Sequence, residues 1–303
     1  MKKTLSITIG ISAYNEEANI QVLLQSIQQQ KNNGFTIDEI IVVSDASSDK
    51  TAQKVREVKD SRIVFIQEKQ RAGQNVRQNY ILRKAKGDIV VFLEADTIFK
   101  NNNYIYELIK PFITNKNISM SYGTSLPIPL TRGSFFEKML TFIETMKEKK
   151  FNTLKQDNLY LCGTGKAFSK EIKKIFFWPE NVPEDTYAYL FCRQNKLKMS
   201  FRPLAVLHYK SPSNFSDYLK KTTRFSKGKN MLKDFFPDTQ LEEKYAFSVS
   251  WILSFILEGF RRAPLYMMAY LFMVLVKKVS ILFAPEFSSL WEVSSSTKIL
   301  KTS

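Results

Sequence analysis

The sequence predicts an α/β fold in which helices flank a mostly parallel central sheet, followed by a C-terminal apolar helical hairpin. Three observations support this prediction. Short apolar runs alternate with segments of helical periodicity over residues 5–93, which is typical of parallel sheets with right-handed crossovers. Residues 89–93 are apolar throughout and lead into Glu94 and Asp96, as expected of a strand that is buried on both faces. The C-terminal part is dominated by longer apolar runs.

The predicted strands are short runs enriched in β-branched and aromatic residues. In chain order they cover residues 5–12, 39–43, 62–67, 89–93, 118–125 and 199–207. The first alternates apolar and small polar residues, and the second contains the run Ile-Ile-Val-Val. Pro127 and Pro129 break the chain after the fifth strand. No Gly-x-Gly-x-x-Gly fingerprint follows the first strand, which argues against a dinucleotide-binding site.

The predicted helices carry apolar residues three and four positions apart. In chain order they cover residues 20–27, 51–58, 76–85, 104–115, 135–151, 186–194 and 216–233. Asn19 is placed to cap the first helix, and Pro183 precedes the two acids that begin the sixth. Residues 159–168 contain Gly163 and Gly165, and we expect a flexible turn there.

Composition limits the class of partner. Lys and Arg total 45 of the 303 residues and Asp and Glu total 29, so the net charge is +16. This excess favours an anionic partner such as a phosphorylated substrate or an anionic membrane surface. No nucleic-acid-binding motif is present, so we expect no nucleic acid partner. Cys162 and Cys192 are the two cysteines, which argues against a zinc site and against a disulfide framework, and favours a reduced cytosolic setting.

Glu94 and Asp96 are the first candidate site residues. They follow a buried strand with only Ala95 between them, and ligands of open α/β sheets lie beyond the carboxyl ends of the strands. Carboxylate oxygens suit a hard cation such as Mg²⁺ or Mn²⁺, which in turn suits a diphosphate. The alternative is that both acids cap the next turn or face water.

Further motifs follow the predicted elements in order. They read Ser12-Ala13-Tyr14-Asn15-Glu16-Glu17, Asp45-Ala46-Ser47-Ser48-Asp49-Lys50-Thr51, Arg71-Ala72-Gly73 with Asn79, Glu94-Ala95-Asp96, Gly163-Thr164-Gly165 and Glu184-Asp185. With these motifs the chain resembles, over residues 5–229, the inverting family 2 glycosyltransferases of the GT-A fold. Each motif is weak alone, and their order makes the resemblance specific.

Three departures from the family pattern affect the prediction. Ser12 replaces the usual Pro of the opening motif, which softens a turn. Glu94 replaces the first Asp of the Asp-x-Asp motif and lengthens that arm, so the geometry and choice of metal are less determined. Residues 221–225 read Lys-Thr-Thr-Arg-Phe where processive members carry Gln-x-x-Arg-Trp, which favours a non-processive enzyme.

The resemblance implies a nucleotide diphosphate sugar as donor, with a UDP-sugar favoured and a GDP-sugar as the alternative. Asp45 would accept from a base N–H, Tyr14 would stack beside the base, Glu16 would hold the ribose and Arg71 would reach the diphosphate. The full set of expected substrate-binding residues is Ser12, Tyr14, Glu16, Asp45, Arg71, Asn79, Glu94, Ala95, Gly163 and Arg224.

The resemblance also implies a metal site and a catalytic base. Asp96 is the main expected ligand of Mg²⁺ or Mn²⁺, and Glu94 would act through water or the ribose. His208, the one histidine, is either a further ligand or a structural hydrogen-bonding group. Asp185 would remove the proton of the acceptor hydroxyl, and Glu184 would orient it or the acceptor.

Each of these residues also has a structural interpretation. Asp45 would cap the helix that begins at Thr51, and Tyr14 and Glu16 would belong to a capped loop. Arg71 and Arg224 would be solvated basic groups. Glu184 and Asp185 would stabilise the start of a helix, where acids are favourable.

The C-terminal apolar runs, residues 245–257 and 263–276, predict membrane association. Each run is shorter than the ~18 residues typical of a membrane span, and charged residues surround them. This combination is typical of helices that lie in a bilayer surface. The alternatives are a soluble helical hairpin packed on the catalytic domain and one transmembrane span over residues 263–284.

We therefore expect a catalytic domain over residues 1–235 and a membrane-associated helical region over residues 236–303, at the cytoplasmic face of the cell membrane. The expected activity is transfer of a sugar to a hydroxyl of a lipid-linked or glycan acceptor, in cell-surface polysaccharide or glycolipid synthesis. One alternative is a polyprenyl-phosphate glycosyltransferase, and another is an inactive membrane scaffold. A nucleotidyltransferase is disfavoured because no glycine-rich triphosphate loop follows the first strand.

Overall fold

The computed structural model describes residues 4–152, 165–237, 247–282 and 297. The strands in this part of the chain are β1 (Leu5–Ala13), β2 (Phe35–Ser44), β3 (Ile63–Gln67), β4 (Ile89–Glu94), β5 (Thr97–Phe99), β6 (Ile118–Pro127), β7 (Lys166–Ser169) and β8 (Lys198–Tyr209). They form one sheet in the spatial order β3-β2-β1-β4-β7-β6-β8-β5.

The first seven helices in the same part of the chain correspond to the seven predicted ones, with small shifts at their ends, and two more follow in the C-terminal part. They are α1 (Ile20–Gln28), α2 (Thr51–Glu57), α3 (Gln74–Lys84), α4 (Tyr104–Thr114), α5 (Phe135–Phe151), α6 (Glu184–Gln194), α7 (Phe215–Met231), α8 (Val249–Arg262) and α9 (Pro264–Leu282). Asn19 does not cap α1 through its side chain. Its Nδ2 atom donates to Oε2 of Glu16 instead, at 2.8 Å.

The sheet is mixed, which corrects the prediction of a mostly parallel sheet. The pairs β1–β2, β1–β4, β2–β3 and β6–β8 are parallel. The pairs β4–β7, β6–β7 and β5–β8 are antiparallel. The difference comes from β5 and β7, which are short. They lack the length from which sequence periodicity identifies a strand.

Both faces of the central strands are buried, as the apolar runs predict. On β4, Val90 and Phe92 pack with α3 and α6, whereas Val91 packs with α1 and α4 on the opposite face. Successive side chains of a strand point to opposite faces, so the sheet separates two apolar layers. This burial fixes the position of the β4 carboxyl end, where Glu94 and Asp96 follow.

The C-terminal helices α8 and α9 pack against α5. Phe255, Met267 and Met273 are buried in one cluster with Met139 and Ile143 of α5. The opposite faces of α8 and α9 carry large apolar side chains that stay exposed: Val249, Ile252, Leu253, Leu257, Phe260, Leu265, Met268, Phe272, Leu275 and Val279.

Among the helices that the structure describes, none, α9 included, combines the length and the apolar character that crossing a membrane requires.

Candidate active site

The candidate site lies at the carboxyl ends of β1, β2 and β4. These strands are parallel, so their following loops meet at one edge of the sheet. Ser12 is aligned with Val43 on one side and with Glu94 on the other. The structure therefore places the opening motif between the Asp45 motif and the acid pair.

The first two motifs form one hydrogen-bonded unit. The backbone N of Glu16 donates to Oγ1 of Thr51 at 2.7 Å, and the backbone N of Asn15 donates to Oγ of Ser47 at 3.1 Å. The backbone N of Ser48 donates back to Oδ1 of Asn15 at 2.9 Å. Glu16 is buried in this unit, with its carboxylate bonded to Asn19 as described above.

Asp45 is buried at the end of β2 and accepts hydrogen bonds from three groups of the protein. The backbone N atoms of Ala72 and Gly73 donate to its two carboxylate oxygens at 2.9 and 2.8 Å. Nε of Arg77 donates to Oδ1 at 2.6 Å. Asp45 does not cap α2, because Oδ1 of Asp49 accepts from the backbone N of Thr51 at 2.9 Å.

Tyr14 and Arg71 form a stacked pair beside Asp45. The guanidinium carbon of Arg71 lies 3.9 Å from the centre of the Tyr14 ring, within the range of a cation–π contact. Both residues are half-buried. The aromatic ring and the cation expected for the base and the diphosphate thus lie together at the same edge of the sheet.

Asn79 has a scaffold position in the structure. Its Nδ2 donates to the backbone O of Trp178 at 2.8 Å, and its Oδ1 accepts from the backbone N of the same residue at 2.9 Å. Asn75, one turn earlier on α3, donates to the backbone O of Val182 at 2.9 Å and of Pro179 at 2.7 Å. Both amides of α3 therefore hold the segment that leads into α6.

Four carboxylates come within electrostatic reach of one another. Burial raises the pKa of Glu94 well above its ordinary value, and Asp96, Glu184 and Asp185 raise it further. Burial also raises the pKa of Glu184 to about 7, with a smaller contribution from Asp185. The acid pair after β4 and the acid pair that begins α6, 90 positions apart in the chain, thus meet in the fold.

Lys166 forms a buried ion pair with this acid group. Its Nζ donates to both carboxylate oxygens of Glu184, at 2.8 and 2.7 Å. Arg224 of α7 is a second positive charge, since it lowers the pKa of Glu184. The indole N–H of Trp178 donates to the backbone O of Glu184 at 2.9 Å.

His208 lies inside β8, close to the acid pair along the sheet. It is aligned with Ile98 of β5, the strand that starts one residue after Asp96. Its Nδ1 is 3.3 Å from the backbone O of Pro127, so part of the imidazole takes a structural contact. Ala95 is buried in the turn between β4 and β5, and Gly163 lies outside the described residues.

The donor set fits a divalent cation bound together with a diphosphate. Across residues 4–152, 165–237 and 247–282, no three His, Cys, Asp or Glu side chains are grouped to hold a metal ion. Mg²⁺ is usually held by one or two carboxylates and by substrate phosphates, rather than by a complete protein cage. Glu94 and Asp96 supply such carboxylates. The charge of Asp96 raises the pKa of Glu94, and a bound cation would offset this repulsion between the two carboxylates.

Lys166, Arg77 and Asn75 are site residues that the sequence interpretation missed. Arg77 and Asn75 lie near the predicted motif Arg71 to Asn79, but their partners are distant in sequence. Lys166 directly follows Gly165, the last residue of the Gly163-Thr164-Gly165 motif, and precedes the apolar pair Ala167 and Phe168. The position of this lysine, directly before an apolar pair, is the one feature of the sequence that could have predicted a buried cation.

Comparison with known families and proteins gives a consistent result. The family described as "Glycosyl transferase family 2" matches residues 8–176. Poly-beta-1,6-N-acetyl-D-glucosamine synthase of Staphylococcus aureus is 25% identical over 239 residues, which are 76% of this chain and 56% of that protein. The chain thus spans little more than half the length of this relative. An uncharacterized glycosyltransferase of Haemophilus influenzae is 24% identical over 196 residues, covering 64% of this chain and 74% of that protein.

Solved structures with the same fold include three complexes with a nucleotide or a nucleotide sugar. The mannosyltransferase PcManGT of Pyrobaculum calidifontis with GDP-Man and Mn²⁺ has a TM-score of 0.60 and 16% identity, over 92% of this chain and 80% of that chain. TarS 1-349 of S. aureus with UDP has a TM-score of 0.53 and 17% identity, over 86% and 73%. Glucosyl-3-phosphoglycerate synthase of Mycobacterium tuberculosis with Mn²⁺ and UDP has a TM-score of 0.50 and 18% identity, over 76% and 79%.

Proposed function

The chain belongs to glycosyl transferase family 2 and has the GT-A fold, and on this premise we propose that it transfers a sugar from a nucleotide diphosphate sugar to a hydroxyl group, with inversion. The observation that carries the proposal is the meeting of Glu94 and Asp96 with Glu184 and Asp185 at the sheet edge. One acid pair suits the diphosphate end of a donor, and the other suits an acceptor hydroxyl.

The donor is a UDP-sugar by preference, with a GDP-sugar as the alternative. TarS and glucosyl-3-phosphoglycerate synthase were solved with UDP, and PcManGT with GDP-Man. Tyr14 and Arg71 receive the base and the diphosphate. Asp45 supports the neighbouring loop through Ala72 and Gly73, and keeps acceptor capacity for a base N–H. Glu16 and Ser12 line the ribose side.

Transfer requires one proton acceptor and a stabilised leaving group. The acceptor oxygen attacks the anomeric carbon while the bond from that carbon to the diphosphate oxygen breaks. Asp185 takes the hydroxyl proton, Glu184 holds the base in place, and Arg224 stabilises charge on the leaving nucleoside diphosphate. Asp96 and Glu94 would hold Mg²⁺ or Mn²⁺, with His208 as the further candidate ligand. Such an ion supplies neutralisation of the diphosphate charge.

The acceptor is a lipid-linked or glycan hydroxyl at the cytoplasmic face of the cell membrane, in the synthesis of a cell-surface polysaccharide or glycolipid. The exposed apolar faces of α8 and α9 support this location, because large apolar patches on a protein surface mark interaction sites. Arg261, Arg262 and Lys278 are exposed beside these faces and suit anionic head groups. The curated relative that makes poly-beta-1,6-N-acetyl-D-glucosamine supports a polysaccharide product.

The test of this function is donor binding measured by calorimetry for UDP-, GDP- and dTDP-sugars, with and without Mn²⁺. We expect one donor class to bind in the presence of Mn²⁺, and the Asp96→Ala variant to lose at least about tenfold in affinity, about 1.4 kcal/mol. Asp38→Ala, at an exposed position on β2, is the matched control. Absence of binding by every donor would refute the proposal.

A further inference from the structure

Lys166 is a buried lysine that no step of the proposed transfer uses. It is the first residue of β7 and has 0% of its surface exposed, as have the following residues Ala167 and Phe168. An ammonium group loses several kcal/mol of hydration energy on such burial. Replacement of a buried ion pair by a well-packed apolar pair of the same volume is often neutral or stabilising. Stability alone therefore gives no reason for a lysine in this position.

The side chain of Lys166 holds the carboxylate of Glu184. Its Nζ donates to both carboxylate oxygens of Glu184, at 2.8 and 2.7 Å. The main chain of Glu184 is held as well, since the indole N–H of Trp178 donates to its carbonyl oxygen at 2.9 Å. Glu184 is thus anchored at its side chain by β7 and at its backbone by the segment before α6.

The next residue along the chain is Asp185, the proposed base. It shares the first turn of α6 with Glu184, so any movement of Glu184 moves the backbone that carries Asp185. The ion pair with Lys166 therefore fixes the geometry of the first turn of α6, from which Asp185 projects.

We infer that Lys166 is a positioning residue of the transfer reaction, which fixes the Glu184 carboxylate and, through the first turn of α6, the direction of Asp185. This inference rests on the proposed function. It assigns a role in the reaction to a residue of β7 that lies outside all the sequence motifs described above. It also explains why a lysine occupies the start of a buried strand, directly before Ala167 and Phe168.

A double-mutant cycle on the full-length protein tests this inference. The variants are Lys166→Met, Glu184→Met and the double variant, and Lys170→Met is the control, an exposed lysine on the turn after β7. Release of the nucleoside diphosphate gives kcat and KM for the donor, calorimetry gives nucleotide affinity with Mn²⁺, and thermal unfolding gives stability. The double variant keeps the test valid where a single variant folds poorly, because it leaves no buried charge without its partner.

We expect kcat to fall about 30-fold or more in each single variant and by the same factor in the double variant, because both residues act as one unit. KM for the donor and the nucleotide affinity should stay within about threefold of the parent protein. Thermal stability should fall in Lys166→Met and recover in the double variant, while kcat does not recover.

Three results would overturn the inference while leaving the proposed function intact. If the fold-loss of kcat in the double variant equals the product of the two single losses, Lys166 does not act through Glu184. Normal kcat in Lys166→Met, or recovery of kcat together with stability, would show a structural role only. A parent protein that binds no nucleotide would refute the proposed function and this inference together. Nucleotide binding by the parent protein is therefore measured before the variants are compared.

Discussion

Nε of Arg77 donates a hydrogen bond of 2.6 Å to Oδ1 of Asp45, and both side chains are buried. The same carboxylate accepts from the backbone N atoms of Ala72 and Gly73, and Arg77 also donates to the backbone O of Gln70 at 2.5 Å. The end of β2 and the start of α3 are therefore joined by one charged contact, which shapes the loop before α3.

Replacement of Arg77 by Met should destabilise the protein and weaken nucleotide binding. The change leaves the buried Asp45 carboxylate without its cation, which typically costs about 3 to 5 kcal/mol. Urea unfolding and nucleotide calorimetry measure the two effects. Arg56→Met, at an exposed position on α2, should change the unfolding free energy by no more than about 0.5 kcal/mol. Equal stability of the two variants would contradict the role given to the Arg77–Asp45 pair.

Replacement of Asp185 by Asn should lower kcat by about 10² to 10⁴, because an amide cannot take the proton from the hydroxyl group of the acceptor substrate. Nucleotide affinity should not fall comparably. Kinetics with the accepted donor and calorimetry with its nucleotide measure these two quantities. Glu180→Gln, exposed on the segment before α6, is the control. Full activity of Asp185→Asn would point to a phosphate acceptor, which needs no strong base.

The stability of the α5 region should fall as pH rises. Burial raises the pKa of Glu148 from its ordinary 4.5 to about 8, so the folded state holds a proton that the unfolded state releases between these pH values. The contribution of Glu148 to the free energy of unfolding is therefore fully present below pH 4.5 and is lost as the pH rises from 4.5 to about 8. Glu148→Gln should be more stable than the parent at pH 9, on the order of 2 kcal/mol, and equal to it at pH 4.

Thermal unfolding at several pH values measures this effect. Glu171→Gln, at an exposed position on the turn after β7, should follow the parent protein at every pH. A constant difference between Glu148→Gln and the parent over the whole range would contradict a protonated Glu148.

The exposed apolar face of α8 and α9 should bind anionic bilayers. We expect sedimentation with phosphatidylglycerol vesicles, weaker at high salt because head-group attraction is screened, and weaker still with phosphatidylcholine. The triple variant Leu253→Ser, Leu257→Ser and Phe272→Ser should lose more than about tenfold in partitioning, since each buried side chain contributes about 1.5 to 3 kcal/mol.

The matched control for vesicle binding is Val64→Ser, at an exposed apolar position on β3. Sedimentation equilibrium of the parent protein without lipid completes the test. A stable dimer that the triple variant abolishes, with no vesicle binding, would assign the same face to a second copy of the chain.

The sequence was sufficient where a signal was local and repeated. The apolar run before Glu94 predicts a buried strand, and the structure confirms it as β4. The apolar spacing within residues 135–151 predicts α5, whose bounds Phe135–Phe151 are the predicted ones. Such elements depend on neighbours three or four positions away, which a single sequence contains.

The rest depends on contacts between distant parts of the chain. β7 begins with a lysine directly after Gly165, and only pairing with β4 and β6 makes it a strand. The partner of Asp45 is Arg77, 32 positions away, and its identity follows from how β2 and α3 cross. Asn79 belongs to a predicted motif, but its contact with Trp178 spans 99 positions.

The side-chain amides of Asn75 and Asn79 limit where two related enzymes can be joined to make a chimera. They belong to α3, in the part of the fold proposed to receive the nucleotide, and the backbone that they bind leads to α6, which carries the proposed base Asp185. A chimera that exchanges one half for that of another enzyme would break this grip unless both sides are taken from the same parent. The natural crossover point therefore lies beyond Val182, after the last carbonyl that α3 holds.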